Sequence, residues 1–496
     1  MGECKQSRAS QLITQYTDIV VPTITTTVSA VPVPTAELVP PPKEFNPSPK
    51  KACFPDDFIW GVASSAPQIE GAVRDEGRAP SYMDYYAHFP PNEVFDANGN
   101  KSTGDIAALD YYFYKEDIAR IAALGVPYYS FSISWSRILP FGVEGSPINQ
   151  AAVDHYDDVI NTCLQYGVKP IVTMEHFDIP MVFIADPTAV PTYGYFLKIL
   201  FTHYADRVPI WLTINEPNDA AGSWQGIKNI LLAHAKASKL YHGEFQGTGQ
   251  IAMKNSFKYG SPYNASDSED VAAAGRWNDY YLGLTSAALF ANTSYPKSMT
   301  DSVSALPKIS AEELALIYGS ADFNSVNIYF GNYIKASSNG IAKCASNTSD
   351  PLWPVCGSRS AVGIDGWEYG GGAGGAGGGA NTPALIREAL NYVHNTYPSE
   401  GGIFLGESGM GEVSAASMYD AQYDVDRARY YEDYTLATYL AMTYDHVKVI
   451  GLLAWSIVDQ WEFGSEPYGL QYINPTTLAR SYKKSFFTLV DIFQKQ

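Results

Sequence analysis

Between Phe58 and Val458 the chain carries eight short apolar runs, separated by amphipathic helical patterns or long polar stretches. This alternation constrains the fold more than any other feature, because consecutive parallel strands need a crossover and a helix usually supplies it. The runs are 58–63, 128–134, 170–176, 211–215, 250–254, 323–329, 403–407 and 449–458, with 250–254 the weakest. Between them, Tyr114–Leu124 places Ile118, Ile121 and Ala122 on one face and stops at Gly125. Ala151–Tyr166 buries Val153, Tyr156, Ile160, Cys163 and Leu164 before Gly167, and Asp270–Phe290 reads as one long helix. Eight strands with intervening helices predict an α/β chain closed into a (β/α)8 barrel. Such a barrel typically needs ~250 residues, so a chain of 496 must carry long βα loops. The alternative is an open doubly wound sheet. It is disfavoured because no glycine-rich phosphate turn follows an early strand.

The sequence divides into an arm, 1–50, and a barrel domain, 51–496. Val21–Pro49 is dominated by Val, Thr and Pro, including Pro40-Pro41-Pro42, and reads as extended or disordered rather than helical. Tyr369–Ala380 is nearly all Gly and Ala and reads as a surface loop. A net charge of −19 argues against nucleic-acid or anionic-membrane partners, and no apolar run reaches the ~18 residues of a membrane span. Met1–Thr27 lacks the charged start and apolar core of a signal peptide. Secretion is nevertheless the expectation, on two grounds. Acceptor sequons start at Asn100, Asn264, Asn292 and Asn347, and Cys344 and Cys356 bracket a short polar loop that a disulfide would close. Cys4 and Cys53 flank the arm and would pin it to the body, whereas Cys163 reads as an inert buried thiol. The cysteine spacing fits no metal site.

Two stretches carry the chemistry. Trp211-Leu212-Thr213-Ile214-Asn215-Glu216-Pro217 is an apolar run that ends in an amide, a carboxylate and a proline. Pro217 cannot donate to a ladder and biases Glu216 away from helix, so the strand should stop there. Gly402-Ile403-Phe404-Leu405-Gly406-Glu407-Ser408-Gly409 has the same form. Barrel enzymes place their chemistry at the carboxyl ends of strands. Two carboxylates there are the equipment for cleaving a glycosidic bond with retention, one attacking and one protonating, about 5–5.5 Å apart. Alone, each glutamate would read as a solvated strand-end group; together they read as catalytic.

Asn215-Glu216-Pro217 resembles the acid/base motif of glycoside hydrolase family 1, the β-glucosidases and their relatives. Gly61-Val62-Ala63-Ser64-Ser65-Ala66-Pro67-Gln68-Ile69-Glu70-Gly71 resembles that family's N-terminal signature. So do Phe131-Ser132-Ile133-Ser134-Trp135, His176-Phe177-Asp178-Ile179-Pro180, and Trp455-Ser456-Ile457-Val458-Asp459 leading to Glu462, in the family's order. The arm and the Cys344–Cys356 segment look most like secreted fungal members. The resemblance implies that Glu216 is the acid/base and Glu407 the nucleophile. Gln68, His176, Asn215 and Glu462 would hold sugar hydroxyls, Tyr329 after Asn327 would donate to the nucleophile, and Trp455 would floor the ring. No cofactor is implied, and the partner is a small β-glycoside or oligosaccharide.

Several positions depart from the family pattern. Ser408 follows the nucleophile where Asn is usual, and Pro67 replaces an aromatic. Phe177 and Phe463 stand where tryptophans are common, and Phe463 is expected to relax discrimination at the 4-hydroxyl so that galactosides enter beside glucosides. Ser130 occupies the place of an arginine that normally pairs with the nucleophile. That departure predicts a nucleophile without a cation and a rate profile whose acidic limb lies high. The expected activity is exo-acting, retaining β-glucosidase. The alternatives are a transglycosidase favouring sugar acceptors and a catalytically silent sugar-binding barrel.

Overall fold

The computed structural model describes residues 53–494 apart from 91–92, 96–98, 181–188, 361, 365–379 and 413–416. The arm, its proposed Cys4–Cys53 tether and nearly all of the Gly/Ala tract lie outside the described residues. Eight parallel strands close on themselves in chain order: β1 (Ile59–Ala63), β2 (Tyr128–Ser132), β3 (Lys169–Glu175), β4 (Ile210–Asn215), β5 (Gln250–Ser256), β6 (Asn324–Asn327), β7 (Ile403–Ser408) and β8 (Val449–Trp455). All eight apolar runs are strands, and the weakest of them, β5, is as long as any. β8 pairs with β1 through Gly451↔Ile59 to Trp455↔Ala63, which completes the (β/α)8 barrel.

The strands read as nearly continuous apolar runs because both faces are covered. Ile210 and Leu212 join Ala63, Ile171, Ala252, Phe404 and Leu453 in one cluster drawn from six strands, which fills the lumen. The intervening Trp211 faces outward, edge-on to Phe201 of the helix Ala189–Tyr204. Helices Asp110–Ala123, Gln150–Gln165, Trp224–Lys239, Pro383–Thr396, Val425–Tyr444 and Lys484–Gln494 continue the outer layer. The expected single helix 270–290 is divided: Ser268–Asn278 runs into a π turn, Asp279–Gly283, and then Leu284–Phe290.

The long loops hold small structures of their own. Gly260–Pro262, Asn332–Ala336 and Gly357–Ser360 form a three-stranded sheet beside the barrel mouth. There Cys344 and Cys356 are disulfide-bonded, with Cα atoms 5.7 Å apart. Cys163 is a buried free thiol. Asn100, Asn292 and Asn347 are exposed, and Asn264 is half-buried with its side-chain oxygen accepting from the Ser266 amide. Among the described residues no helix is long and apolar enough to cross a membrane.

Candidate active site

The strand register is irregular at the two places where the predicted carboxylates emerge. From Leu212 to Asn215, β4 takes three steps while β5 takes two, from Ala252 to Lys254. From Leu405 to Glu407, β7 takes two steps against one on β6, and to Ser408 it takes three against two on β8. An extra residue on one strand re-aims the side chains that follow it. Asn215, Glu216 and Glu407 follow these bulges and line a common pocket of about 310 Å³ at the carboxyl end of the barrel. That volume lies at the small end of ligand sites. Gln68, His176, Asn327, Tyr329, Trp455, Glu462 and Phe463 line it too, so the pocket gathers every site residue expected from the sequence.

Pro217 begins a short helix, Pro217–Ala220, and Glu216 before it takes a left-handed conformation with φ 44°. Its amide donates to the Lys254 carbonyl at 2.7 Å. Phe177 and Phe463 also have positive φ, 68° and 52°. Three bulky residues in this sparsely populated region line one pocket. Such backbone persists only where the surroundings over-determine it, and it concentrates at functional sites.

The two carboxylates are supported differently. Glu407 is buried, and its Oε1 accepts from Lys254 Nζ at 2.6 Å while Oε2 accepts from the Tyr329 hydroxyl at 2.7 Å. The phenol itself is held far above its ordinary range by burial and by the charges of Glu407 and Glu216, so it stays a donor. Among the described residues Glu216 accepts one bond, from Asn327 Nδ2 at 3.0 Å. Burial first, then the negative charges of Glu407 and Asp219, push it up to about 7, against the smaller opposing pull of Asn327 and Lys258.

The hydrophilic floor is a connected network. Asn327 Nδ2 also donates to Asn215 Oδ1 at 3.3 Å, and Asn215 Nδ2 lies 3.0 Å from His176 Nε2. Burial, and then the charge of Lys254, pull His176 well down, which keeps its ring neutral with Nε2 free to accept from Asn215. The His176 ring stacks on Trp455, centroids 5.6 Å apart. Gln68 Nε2 donates to Glu462 Oε2 at 2.9 Å, and Trp455 Nε1 to Glu462 Oε1 at 3.2 Å. Gln68 is itself fixed: Ser65 donates to its oxygen, and the segment after it is anchored by a buried Arg137–Glu70 pair at 2.6 Å. Phe463 packs edge-on against Trp461 and, at 6.4 Å, against Phe177, forming an apolar side wall.

The departures take definite places. Pro67 sits in the first turn of Ala66–Ile69, where its missing N–H is harmless. Ser408 turns away and donates to the Leu453 carbonyl, tying β7 to β8. Ser130 is buried, and its hydroxyl has no partner among the described residues. The expectation that Ser130 leaves the nucleophile position without a cation is corrected, because Lys254 supplies one from β5. Sequence reading placed 250–254 in a strand and passed over its lysine. The signal was present: an ammonium inside Ile251-Ala252-Met253-Lys254-Asn255 of a buried parallel strand requires a buried counter-charge. Asp219 of the short helix after Glu216, Lys258 just beyond β5 and Arg359 of the strand Gly357–Ser360 also line the pocket, and no local sequence pattern marks them as site residues.

A closed parallel barrel with two buried carboxylates and a hydrogen-bonded polar network at its carboxyl end is the arrangement expected of a glycoside hydrolase. The model of glycosyl hydrolase family 1 matches residues 50–496, and the chain belongs to that family. It is 31% identical over 490 residues to a raucaffricine-O-β-D-glucosidase of Rauvolfia serpentina, covering 84% of this chain and 86% of that one. The structure of β-glucosidase 2 from the fungus Trichoderma reesei, in complex with Tris, is 30% identical with a TM-score of 0.82, covering 89% of this chain and 99% of that one. A rice β-glucosidase, solved as a Glu-to-Gln mutant in a covalent complex with glucose, is 27% identical with a TM-score of 0.81, covering 89% and 98%.

Proposed function

We propose that this pocket removes terminal, non-reducing β-D-glucosyl residues with retention of configuration, Glu407 acting as nucleophile and Glu216 as acid/base. A Glu407 oxygen attacks C1 as the C1–O bond to the aglycone breaks, and the Glu216 proton passes to the departing oxygen. The resulting Glu216 carboxylate takes a proton from water, whose oxygen attacks C1 and frees Glu407. The carrying observation is the opposite setting of the two groups. Two donors, one charged, face Glu407, while burial and the charge of Glu407 keep a proton on Glu216 up to about pH 7.

Glu462, braced by Gln68 and Trp455, would accept from two adjacent hydroxyls, and such charge-assisted bonds are strong. Asn215 would meet the 2-hydroxyl, where bonds tighten in the transition state. The apolar Phe463–Phe177 wall offers no N–H to the 4-hydroxyl side, which supports admission of β-galactosides beside β-glucosides. The sugar of the rice complex and the glucosidase names of the relatives support the glucoside as the principal substrate.

Turnover of p-nitrophenyl β-glucoside and β-galactoside by wild type and Glu407→Gln tests the assignment. The expected result is hydrolysis by wild type, loss in the variant, and synthesis from an α-glucosyl fluoride by Glu407→Gly. Hydrolysis that survives Glu407→Gln would remove Glu407 from the role. Secretion and glycosylation at Asn100, Asn264, Asn292 or Asn347 are part of the same proposal. A mass shift on N-glycanase treatment of protein from the growth medium would support them, and intracellular retention without any shift would refute them.

A further inference from the structure

Lys254 is attached at both ends to the proposed machinery. Its carbonyl accepts from the Glu216 amide at 2.7 Å, and its ammonium donates to Glu407 at 2.6 Å. Both charged side chains are almost sealed from solvent, with 1% and 4% of their surface exposed. An ammonium taken out of water at this depth is costly unless it is paired, so the strand tolerates the lysine because the carboxylate meets it. β5 sets Lys254 opposite Asn215 on β4 and Ser325 on β6, and the side chain then reaches over β7 at Gly406. A Cβ at Gly406 would stand 2.6 Å from Lys254 Cδ and 2.8 Å from Cγ, and also 2.9 Å from Asn327 Oδ1. The glycine before the nucleophile thus keeps open the path that the lysine stem occupies. On the β2 side the short Ser130 carries no charge.

The groups around Glu407 come from every side of the barrel. Lys254 arrives from β5, Tyr329 from beyond β6, Glu216 from the end of β4 and Glu462 from the loop after β8, with a neutral His176 at the end of β3. Lys254 is the one cation hydrogen-bonded to Glu407 among the described residues. Lys258, at the pocket mouth, is engaged by Asp219.

We propose that Lys254 is a positioning residue for this reaction: its ammonium pairs with Glu407 and aims it, and through its carbonyl it fixes the turn that presents Glu216. The inference rests on the reading of Glu407 as nucleophile. The barrel thereby obtains its nucleophile-facing cation from β5 across the Gly406 gap, with β2 left uncharged at Ser130.

The test is the pH dependence of inactivation by 2-deoxy-2-fluoro-β-glucosyl fluoride, measured on the full chain. Fluoride leaves without protonation, so the acidic limb of that rate reports the nucleophile rather than Glu216. Lys254→Met is expected to fold, to leave KM for the aryl glucoside little changed, and to raise the acidic limb by roughly 1–3 pH units, the span an adjacent opposite charge commands. Adding Ser130→Arg to Lys254→Met should bring the limb back down, which identifies charge rather than packing as the cause. A folded Lys254→Met with its limb where the wild type has it overturns the inference. Should Lys254→Met fail to fold, Lys254→Gln, which removes the charge but keeps a donor on a stem one atom shorter, carries the same comparison. Glu407→Gln is the control that separates the two readings. If it still turns over substrate, the nucleophile assignment fails; if it is dead while Lys254→Met behaves as wild type, the lysine inference fails alone.

Discussion

The wall of the pocket built on β7 and the wall built on β4 each present one glutamate, and the two are treated in opposite ways. On β7, Glu407 is buried between an ammonium and a phenol that both donate to it. On β4, Glu216 is left with a single amide donor, under the charge of its neighbour, and is pushed up to about 7. The side chains are chemically identical and both follow a bulge in their strand. What separates them is the number of donors and the sign of the nearest charge. On the proposed assignment, acid and nucleophile are therefore properties of the two walls rather than of the residue type, and each wall can be altered separately.

The largest effect expected is on the β7 wall. Glu407→Gln should lower kcat/KM for aryl glucosides by on the order of 10^4-fold or more, as loss of a nucleophile does elsewhere. Steady-state kinetics check it, and a loss of only a few-fold would erase the distinction between the walls. On the β4 wall, Glu216→Gln should cost about 10²–10⁴-fold for glycosides with poor leaving groups and much less for activated ones. Its rate profile should lack the basic limb expected of wild type near pH 7, to which burial and the charge of Glu407 push Glu216. A basic limb that persists in the variant would assign the proton to another group.

Asn327→Ala sharpens the comparison more finely. The Asn327 donor favours the ionised form of Glu216, so its removal should move the basic limb of kcat/KM upward, by less than about one pH unit for a single neutral donor. A downward shift would mean that Asn327 supports the protonated form instead.

The smallest effect concerns stability. Burial makes ionised Glu216 costlier in the folded state than in the unfolded chain, where a glutamate titrates near about 4.3. Wild type should therefore lose stability relative to Glu216→Gln as pH rises from that value to about 7, and then run parallel to it. Melting temperatures of the two proteins across that range check the sign; a wild type that gains on Glu216→Gln as pH rises would contradict it.

Much of this was readable in the chain. Alternating apolar runs and helical patterns specify a parallel barrel, because a strand covered on both faces must be apolar throughout and a crossover must follow it. Asn215-Glu216-Pro217 marks a strand end through the geometry of proline, which acts locally and therefore shows in sequence. Both glutamates and the eight residues expected around them do line one pocket. The boundaries of the runs were less legible. The eighth run was read to Val458 but the strand ends at Trp455, and the long helix after β5 is broken by a π turn, since packing rather than propensity sets such ends.

The pairing of Lys254 with Glu407 lay beyond the sequence. The two are 153 positions apart, and what joins them is a bulge, a missing Cβ at Gly406 and a register between strands, none of which has a local pattern. Sequence alone determined which groups this barrel has to work with, because composition and strand ends are written residue by residue. Only the tertiary structure decided which glutamate keeps its proton and which meets a cation, because an ionisation equilibrium answers to the charges within a few ångströms, wherever in the chain they originate.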